Sequence, residues 1–230
     1  MTPHRIILWD IDGTLLHSGG AGEAAIIRTA RALYGKELAL QEIDYRGRTD
    51  LLIVRQIFTR FGISWSEESV AQFRNTYLDY LREEISHASG HLFPGVERML
   101  SSIAEISGWQ QGLLTGNFES GARIKLDHFG LGRFFGFGAF GDRWECRNEV
   151  ARAAFDLVRE RWGESLSAQQ IFLIGDTPHD VLCAQAIGAY SIAVATGGYS
   201  LSDLAGYRPT LLLPDLEQFG PVLSLVKGHG

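Results

Sequence analysis

Short apolar runs punctuate the chain at wide intervals. Arg5–Trp9 (RIILW) stops at Asp10, Gly112–Leu114 stops at Thr115-Gly116-Asn117, and Ile171–Ile174 stops at Gly175-Asp176. Tyr190–Val194 and Thr210–Leu213 are two more runs of the same kind. Runs this short, apolar at successive rather than alternate positions, are expected of strands covered on both faces, as in a parallel sheet. Between them lie helical patterns at Glu119–His128, Asp180–Ile187 and Leu216–Val226. A longer one, Asn148–Trp162, carries Val150, Ala154, Leu157, Val158 and Trp162 on one face. Strands alternating with helices predict an α/β fold, a Rossmann-like parallel sheet flanked by helices.

Residues 21–86 break the alternation. Three helical patterns occur there with no convincing strand. In the third, Val70, Phe73, Tyr77, Leu81 and Ile85 recur at three- and four-residue spacing. Ser66-Glu67-Glu68 reads as an N-cap followed by acids in the first turn, and Thr49-Asp50 plays the same part for a helix over Leu51–Phe61. The flanks, His17-Ser18-Gly19-Gly20 and His87-Ala88-Ser89-Gly90-His91, are small and flexible, and their histidines read as solvated hinge residues. The expected organisation is an α/β domain from residues 1–16 plus 92–230, interrupted by an all-helical unit over 17–91.

Composition narrows the function. With 230 residues, 45% hydrophobic, the chain can bury a sizeable core. Two cysteines, Cys146 and Cys183, are too few for a disulfide framework and read as reduced thiols of a cytoplasmic protein. The opening MTPHRIILWD meets an aspartate too early for a signal peptide, and no run approaches the length of a membrane span. A net charge of −6 without a basic stripe disfavours nucleic acid as a partner. A small anion remains compatible, given local cations, a metal ion or helix N-termini.

The polar residues that end the three best-defined runs carry the chemistry. They are Asp10-Ile11-Asp12-Gly13-Thr14, Thr115-Gly116-Asn117, and Gly175-Asp176-Thr177-Pro178-His179-Asp180. Ligands of open α/β sheets bind beyond the carboxyl ends of the strands, so these loops can converge on one site. Four aspartates together repel one another, and a hard divalent cation removes that repulsion. Mg²⁺ suits oxygen ligands and no cysteine–histidine cluster suggests zinc. One carboxylate can then attack phosphorus to form an acyl phosphate. A second can protonate the leaving oxygen and later activate water. Asp10 and Asp12, two residues apart, sit about 7 Å apart in extended chain, close enough for both to reach one phosphorus.

D-x-D-G-T, then T-G-N, then G-D-x-x-x-D, each after an apolar run, resembles the haloacid dehalogenase superfamily of phosphohydrolases. The resemblance spans essentially the whole chain, and is nearest to the phosphoglycolate-phosphatase-like branch with a helical cap. D-G-T-L-L-x-S-G-G-A-G at Asp12–Gly22 carries that likeness, as does Gly175–Asp180. The resemblance implies a Mg²⁺-dependent phosphatase acting on a small phosphorylated metabolite. Asp10 is then the nucleophile and a metal ligand. Asp12 is the general acid/base, with its carbonyl on the metal. Thr115 and the backbone of Gly116 and Asn117 bind phosphoryl oxygens, with Gly13 and Thr14 beside them. Asp176 completes the metal site and Asp180 supports it from behind.

One departure stands out. The family carries a lysine, often Lys-Pro, between the second and third loops. The only lysine there, Lys125, is expected to lie too close to the second loop. Arg147 is the candidate substitute and Arg143 the second choice; arginine keeps the charge and can grip phosphate at two points. In the inserted unit, Tyr45-Arg46-Gly47-Arg48-Thr49-Asp50 precedes a helix, and in this family the equivalent loop touches substrate. Arg46 and Arg48 are therefore candidates for a carboxylate or a second phosphate. Gly22 and Glu23 are expected near the mouth. Phe58, Phe61, Phe73 and Tyr77 read as helical core. His179 reads as a helix-capping residue rather than a participant.

Two rival readings remain. A phosphomutase of the β-phosphoglucomutase type shares the first step but resembles a chain with a histidine about ten residues after the second aspartate, where this one has Gly22. A non-catalytic member that binds a phosphorylated ligand usually lacks one of the carboxylates, and all four are present here. Substrate identity and oligomeric state are not legible in the sequence.

Overall fold

The computed structural model describes residues 5–228. The first four residues of the expected 1–16 segment and the last two of 92–230 lie outside the described residues. Six parallel strands form one sheet: β1 (Arg5–Trp9), β4 (Trp109–Leu114), β5 (Gly138–Ala139), β6 (Ile171–Gly175), β7 (Tyr190–Val194) and β8 (Leu211–Leu213). Their spatial order is β5-β4-β1-β6-β7-β8. β1 lies in the middle, with Ile6 opposite both Gln110 of β4 and Ile171 of β6. The chain order reverses on either side of β1, which opens a crevice beyond the carboxyl ends of β1, β4 and β6.

The alternation of side chains along β1 explains why residues 6–9 are apolar without a break. Ile7 and Trp9 face one layer with Val96, Met99, Leu100 and Ile103 of helix α4 (Val96–Ala104) and Val222 and Val226 of helix α9 (Gly220–Gly228). Ile6 and Leu8 face the other layer, with Val150, Ala154 and Val158 of α6 (Arg147–Trp162) and Cys183 and Ala184 of α7 (Pro178–Ile187). A strand covered on both faces favours apolar side chains at successive positions, and Arg5 at its start is buried with its Nε donating to the Val226 carbonyl at 2.8 Å.

Boundaries shift in places from the sequence reading. The last helix begins at Gly220 rather than Leu216, because Leu216 is already packed in the sheet's core and the chain turns before the helix starts. Helix α4 is an unanticipated element, although Val96, Met99, Leu100 and Ile103 recur at helical spacing.

Three helices follow the first loop: α1 (Ala21–Tyr34), α2 (Asp50–Phe61) and α3 (Glu67–His87). Thr49 caps α2 by accepting from the Leu52 N–H, and Ser66 with Ser69 closes a capping box on α3. Their apolar faces share one cluster built on Ile26, Ile57, Phe58, Phe73, Leu81 and Ile85, which also takes in Phe118 of the sheet layer. The flanking segments meet in a short ladder. Leu16–His17 (β2) and His91–Leu92 (β3) pair antiparallel. The imidazoles of His17 and His91 stack at 5.6 Å, and both remain exposed to solvent as expected. Helix α8 (Leu201–Ala205) caps the edge near β7 and β8.

Candidate active site

The three loops identified in the sequence meet at the sheet's carboxyl end around a cavity of about 450 Å³. Asp10 follows the last residue of β1 and donates its backbone N–H to the Ile174 carbonyl at 3.0 Å. The loop then turns back on itself, with the Ile11 carbonyl accepting from Thr14 and Leu15. Gly13 has φ +86°, and a Cβ there would strike the Asp176 carboxylate at 2.3 Å, so the turn requires glycine.

Asp10, Asp176 and Asp180 are buried, with carboxylate oxygens within 4.8 Å of one another. Arg147, at the first turn of α6, is buried against them: its Nη2 lies 3.2 Å from Asp10 Oδ1 and donates to Asp180 Oδ1 at 2.6 Å. Asp180 Oδ2 accepts from the Thr177 N–H at 3.0 Å and its hydroxyl at 2.7 Å. Both Asp180 oxygens are thus occupied, and it orients the group from behind. Asp176 Oδ1 accepts from Thr14 Oγ1 at 2.9 Å.

Three carboxylates against one guanidinium leave excess negative charge in a low dielectric. Burial raises Asp10 to about 7, opposed by Arg147 and reinforced by Asp180 and Asp12. Burial, with Asp180 and Asp10 beside it, holds Asp176 well above the ordinary carboxylate range. Arg147 is held firmly charged: burial opposes its charge, and Asp10 and Asp180 outweigh that. Such a set of hard oxygen donors fits a divalent cation, with Asp10 and Asp176 placed to hold it.

Asp12 behaves differently. Its side chain is 41% exposed, against 5% for Asp10. Its Oδ2 accepts from Lys125 Nζ at 2.6 Å and from Asn117 Nδ2 at 2.9 Å. The Asn117 amide also donates to Thr115 Oγ1 at 2.8 Å, and the Thr115 hydroxyl hydrogen-bonds Asp10. The second loop is therefore the bridge between the two aspartates.

The inserted helices contribute one wall. Asp50 N–H donates to the Gly116 carbonyl at 2.7 Å, and the Asp50 carboxylate accepts from the Phe118 N–H at 2.7 Å. A Cβ at Gly116 would meet the Arg48 carbonyl at 2.2 Å, so this approach needs glycine. Burial raises Asp50 to about 6, against the pull of Lys125. Arg55 on α2 holds Glu145 with two hydrogen bonds, of 2.9 and 2.6 Å.

The remaining candidates divide clearly. Gly13, Gly116, Asn117, Arg46, Arg48, Gly22 and Glu23 border the cavity. Thr14 does not, because its hydroxyl is turned to Asp176. Arg48 is paired with Asp44, whereas Arg46 has no ion pair among the described residues. Arg143 is exposed and takes no part in the acidic cluster. His179 lies in the first turn of α7 behind Gly47, with Thr177 as the cap; burial first, then Arg48 and Arg147, lowers its pKa. Phe58 and Phe73 lie in the helical core as read, while Tyr77 both packs there and reaches the cavity.

Lys125 is the residue the sequence reading set aside. Helix α5 (Glu119–His128) does begin directly after the second loop, but a side chain two turns along it reaches back to Asp12. A signal was present: Lys125 shares a helix face with Ala122 and Leu126, both buried. A lysine on an apolar face needs a partner. Thr196 and Gly197, which close the site beside Gly13 and Asp176, carried no signal in the sequence.

Residues 7–194 match the haloacid dehalogenase-like hydrolase family, and the chain belongs to it. Curated relatives that the chain resembles are phosphatases. The chain is similar to a phosphoglycolate phosphatase of Vibrio cholerae, with 29% identity over 226 residues and 96% of each chain covered. A phosphoglycolate phosphatase of Pseudomonas fluorescens is 26% identical, over 94% of this chain and 79% of its own. Among solved structures, a predicted phosphoglycolate phosphatase from Haemophilus somnus superposes with a TM-score of 0.74 at 17% identity, covering 95% of this chain and 97% of its own. A β-phosphoglucomutase from Clostridium difficile superposes at 0.71 and 16%, covering 99% and 98%. At such identities these two structures speak for the fold alone.

Proposed function

We propose that the chain is a Mg²⁺-dependent phosphatase of small phosphate monoesters that works through an aspartyl-phosphate on Asp10. The observation that carries this reading is the unequal pair of aspartates on one loop. Asp10 is buried among acids beside Arg147, and Asp12 is set apart at the same cavity. Asp10 and Asp176, with the Asp12 carbonyl, would hold a divalent ion, which would supply the positive charge that this acid cluster lacks.

In the first step an Asp10 oxygen forms a bond to phosphorus as the bond to the leaving oxygen breaks. Asp12, protonated, gives its proton to that oxygen. In the second, Asp12 takes a proton from water as the water oxygen bonds to phosphorus and the Asp10–phosphorus bond breaks. Arg147 neutralises Asp10 and orients it through Asp180. Thr115 and the backbone of Gly116 and Asn117 offer donors to the phosphoryl oxygens.

Arg46 supports a substrate with a second anionic group. It borders the cavity with no ion pair among the described residues, held by Tyr45 and drawn toward Glu23 across the mouth, and a guanidinium in that position suits a carboxylate or a second phosphate. This fits a phosphoglycolate-like substrate, and a sugar phosphate is the next candidate. The position where a mutase would carry its histidine is Gly22, where a Cβ would lie 3.9 Å from both Lys125 Nζ and the Tyr77 hydroxyl, while His17 and His91 line the cavity from the segments that flank the helices. Helices α1–α3 act as the cap in this reading. The free thiols of Cys146 and Cys183 suit the cytoplasm. No helix among the described residues is long and apolar enough to cross a membrane.

The test is hydrolysis of a phosphometabolite panel, with and without Mg²⁺. Metal-dependent turnover, highest on small monoesters with a second anion, is expected. Absence of turnover across the panel with Mg²⁺ would refute the reading.

A further inference from the structure

Arg147 already serves Asp10 and Asp180, so the site holds a second buried cation whose use is unexplained. Lys125 is 5% exposed, and its ammonium touches Asp12 Oδ2 at 2.6 Å and Asn117 Oδ1 at 2.7 Å. Asn117 Nδ2 closes the triangle on the same Asp12 oxygen at 2.9 Å. Each of the three side chains touches the other two. Burying a lysine is costly unless its charge is paired. Burial here works against the Lys125 charge, and Asp12 and Asp50 outweigh it.

The geometry points to Lys125 as a positioning residue for Asp12: with Asn117 it grips Oδ2, leaving Oδ1 directed to the cavity for proton exchange with the leaving group. The inference rests on the proposed acid/base role of Asp12. A half-exposed carboxylate on a loop would otherwise sample several rotamers. Two donors on one oxygen remove that freedom during folding, so it need not be lost again at each turnover. The pairing also separates the two aspartates functionally, since each has its own cation and neither cation spans both.

The consequence is specific to the leaving group. A nitrophenolate departs without a proton, whereas an alkoxide needs one. Single-turnover release rates of nitrophenol and of an alkyl alcohol from their phosphates would therefore be measured for wild type, Lys125→Met and Asp12→Asn. For Lys125→Met the alkyl rate is expected to fall at least about tenfold more than the nitrophenyl rate, within the range general acid catalysis supplies. Asp12→Asn is expected to discriminate in the same sense, and the double variant to be no worse than Asp12→Asn.

Equal loss on both substrates, or no loss, in Lys125→Met alongside a discriminating Asp12→Asn would overturn the role of Lys125 and leave that of Asp12 standing. If Asp12→Asn itself fails to discriminate, the acid/base reading falls and this inference with it. Lys125→Gln, which keeps a donor for Asn117 or Asp12, is the second variant should Lys125→Met not fold. Failure of both to fold would also overturn the inference, by assigning Lys125 to the stability of the helix packing.

Discussion

The nucleophile side and the leaving-group side of the cavity differ in almost every physical respect, although Asp10 and Asp12 are two residues apart on one loop. On the first side, acids crowd together at low exposure, one arginine answers three of them, and Asp10 is pushed up to about 7. On the second, a half-exposed carboxylate is gripped directly by a lysine and an amide, and the same lysine offsets the charge of Asp50 behind it. One sheet end thus supplies an electrostatically strained environment and a balanced one. A group that must bond to phosphorus and hold a cation suits the first, and a group that must exchange protons with a departing oxygen suits the second.

The sharpest way to break this comparison is Asp10→Asn. Loss of the proposed nucleophile should lower kcat by about 10⁴-fold or more, measured on any substrate the wild type turns over. Chelation of divalent metal should abolish turnover to a similar extent, with recovery on adding Mg²⁺. Retained activity in a chelator would remove the cation from the account of the acid cluster.

Arg147→Met should cost stability as well as rate. It leaves Asp10 and Asp180 buried without their cation, and breaking a buried pair typically costs about 3–5 kcal/mol. Chemical denaturation of the metal-free protein checks this, and Arg147→Lys should lose less because the charge remains. A larger loss for Lys than for Met would mean that shape rather than charge matters there.

The same acids give a pH signature whose sign is fixed. Asp10 binds its proton more tightly folded, at about 7, than unfolded, near 3.8. Its contribution to stability is therefore fully present below the unfolded value and is lost as pH rises through the folded one. Metal-free thermal midpoints should fall between about pH 4 and 7 from this group. Mg²⁺ binds the deprotonated form, so its stabilising effect should grow over the same interval. Thermal melts with and without Mg²⁺ at several pH values test both halves. A Mg²⁺ effect independent of pH would separate the cation from these acids.

The smallest expected effect belongs to the contact between the helical wall and the sheet domain. Arg55 and Glu145 are both 39% exposed, and such a pair contributes at most about 1 kcal/mol. Glu145→Ala should barely move stability. A change in KM without a change in kcat would show that this contact helps hold the wall over the cavity.

By itself, the sequence determined the local elements and the chemistry at their ends. Apolar runs covered on both faces predict parallel strands, and D-x-D-G-T, T-G-N and G-D-x-x-x-D lie where such strands release the chain. Thr49 and Ser66 announced two helix starts through their own side chains. These features are legible because they depend on neighbours a few residues away. Tertiary structure alone decided which cation meets which aspartate. Lys125 reaches Asp12 across 113 positions of chain, and Arg147 rather than Arg143 turns inward because the first residue of α6 points into the site while the loop before it stays in solvent. The hinge histidines stack because β2 and β3 pair across the inserted helices. The raised acids are likewise a property of the assembled site, since the burial and mutual repulsion that raise them arise only when loops distant in sequence close over one another.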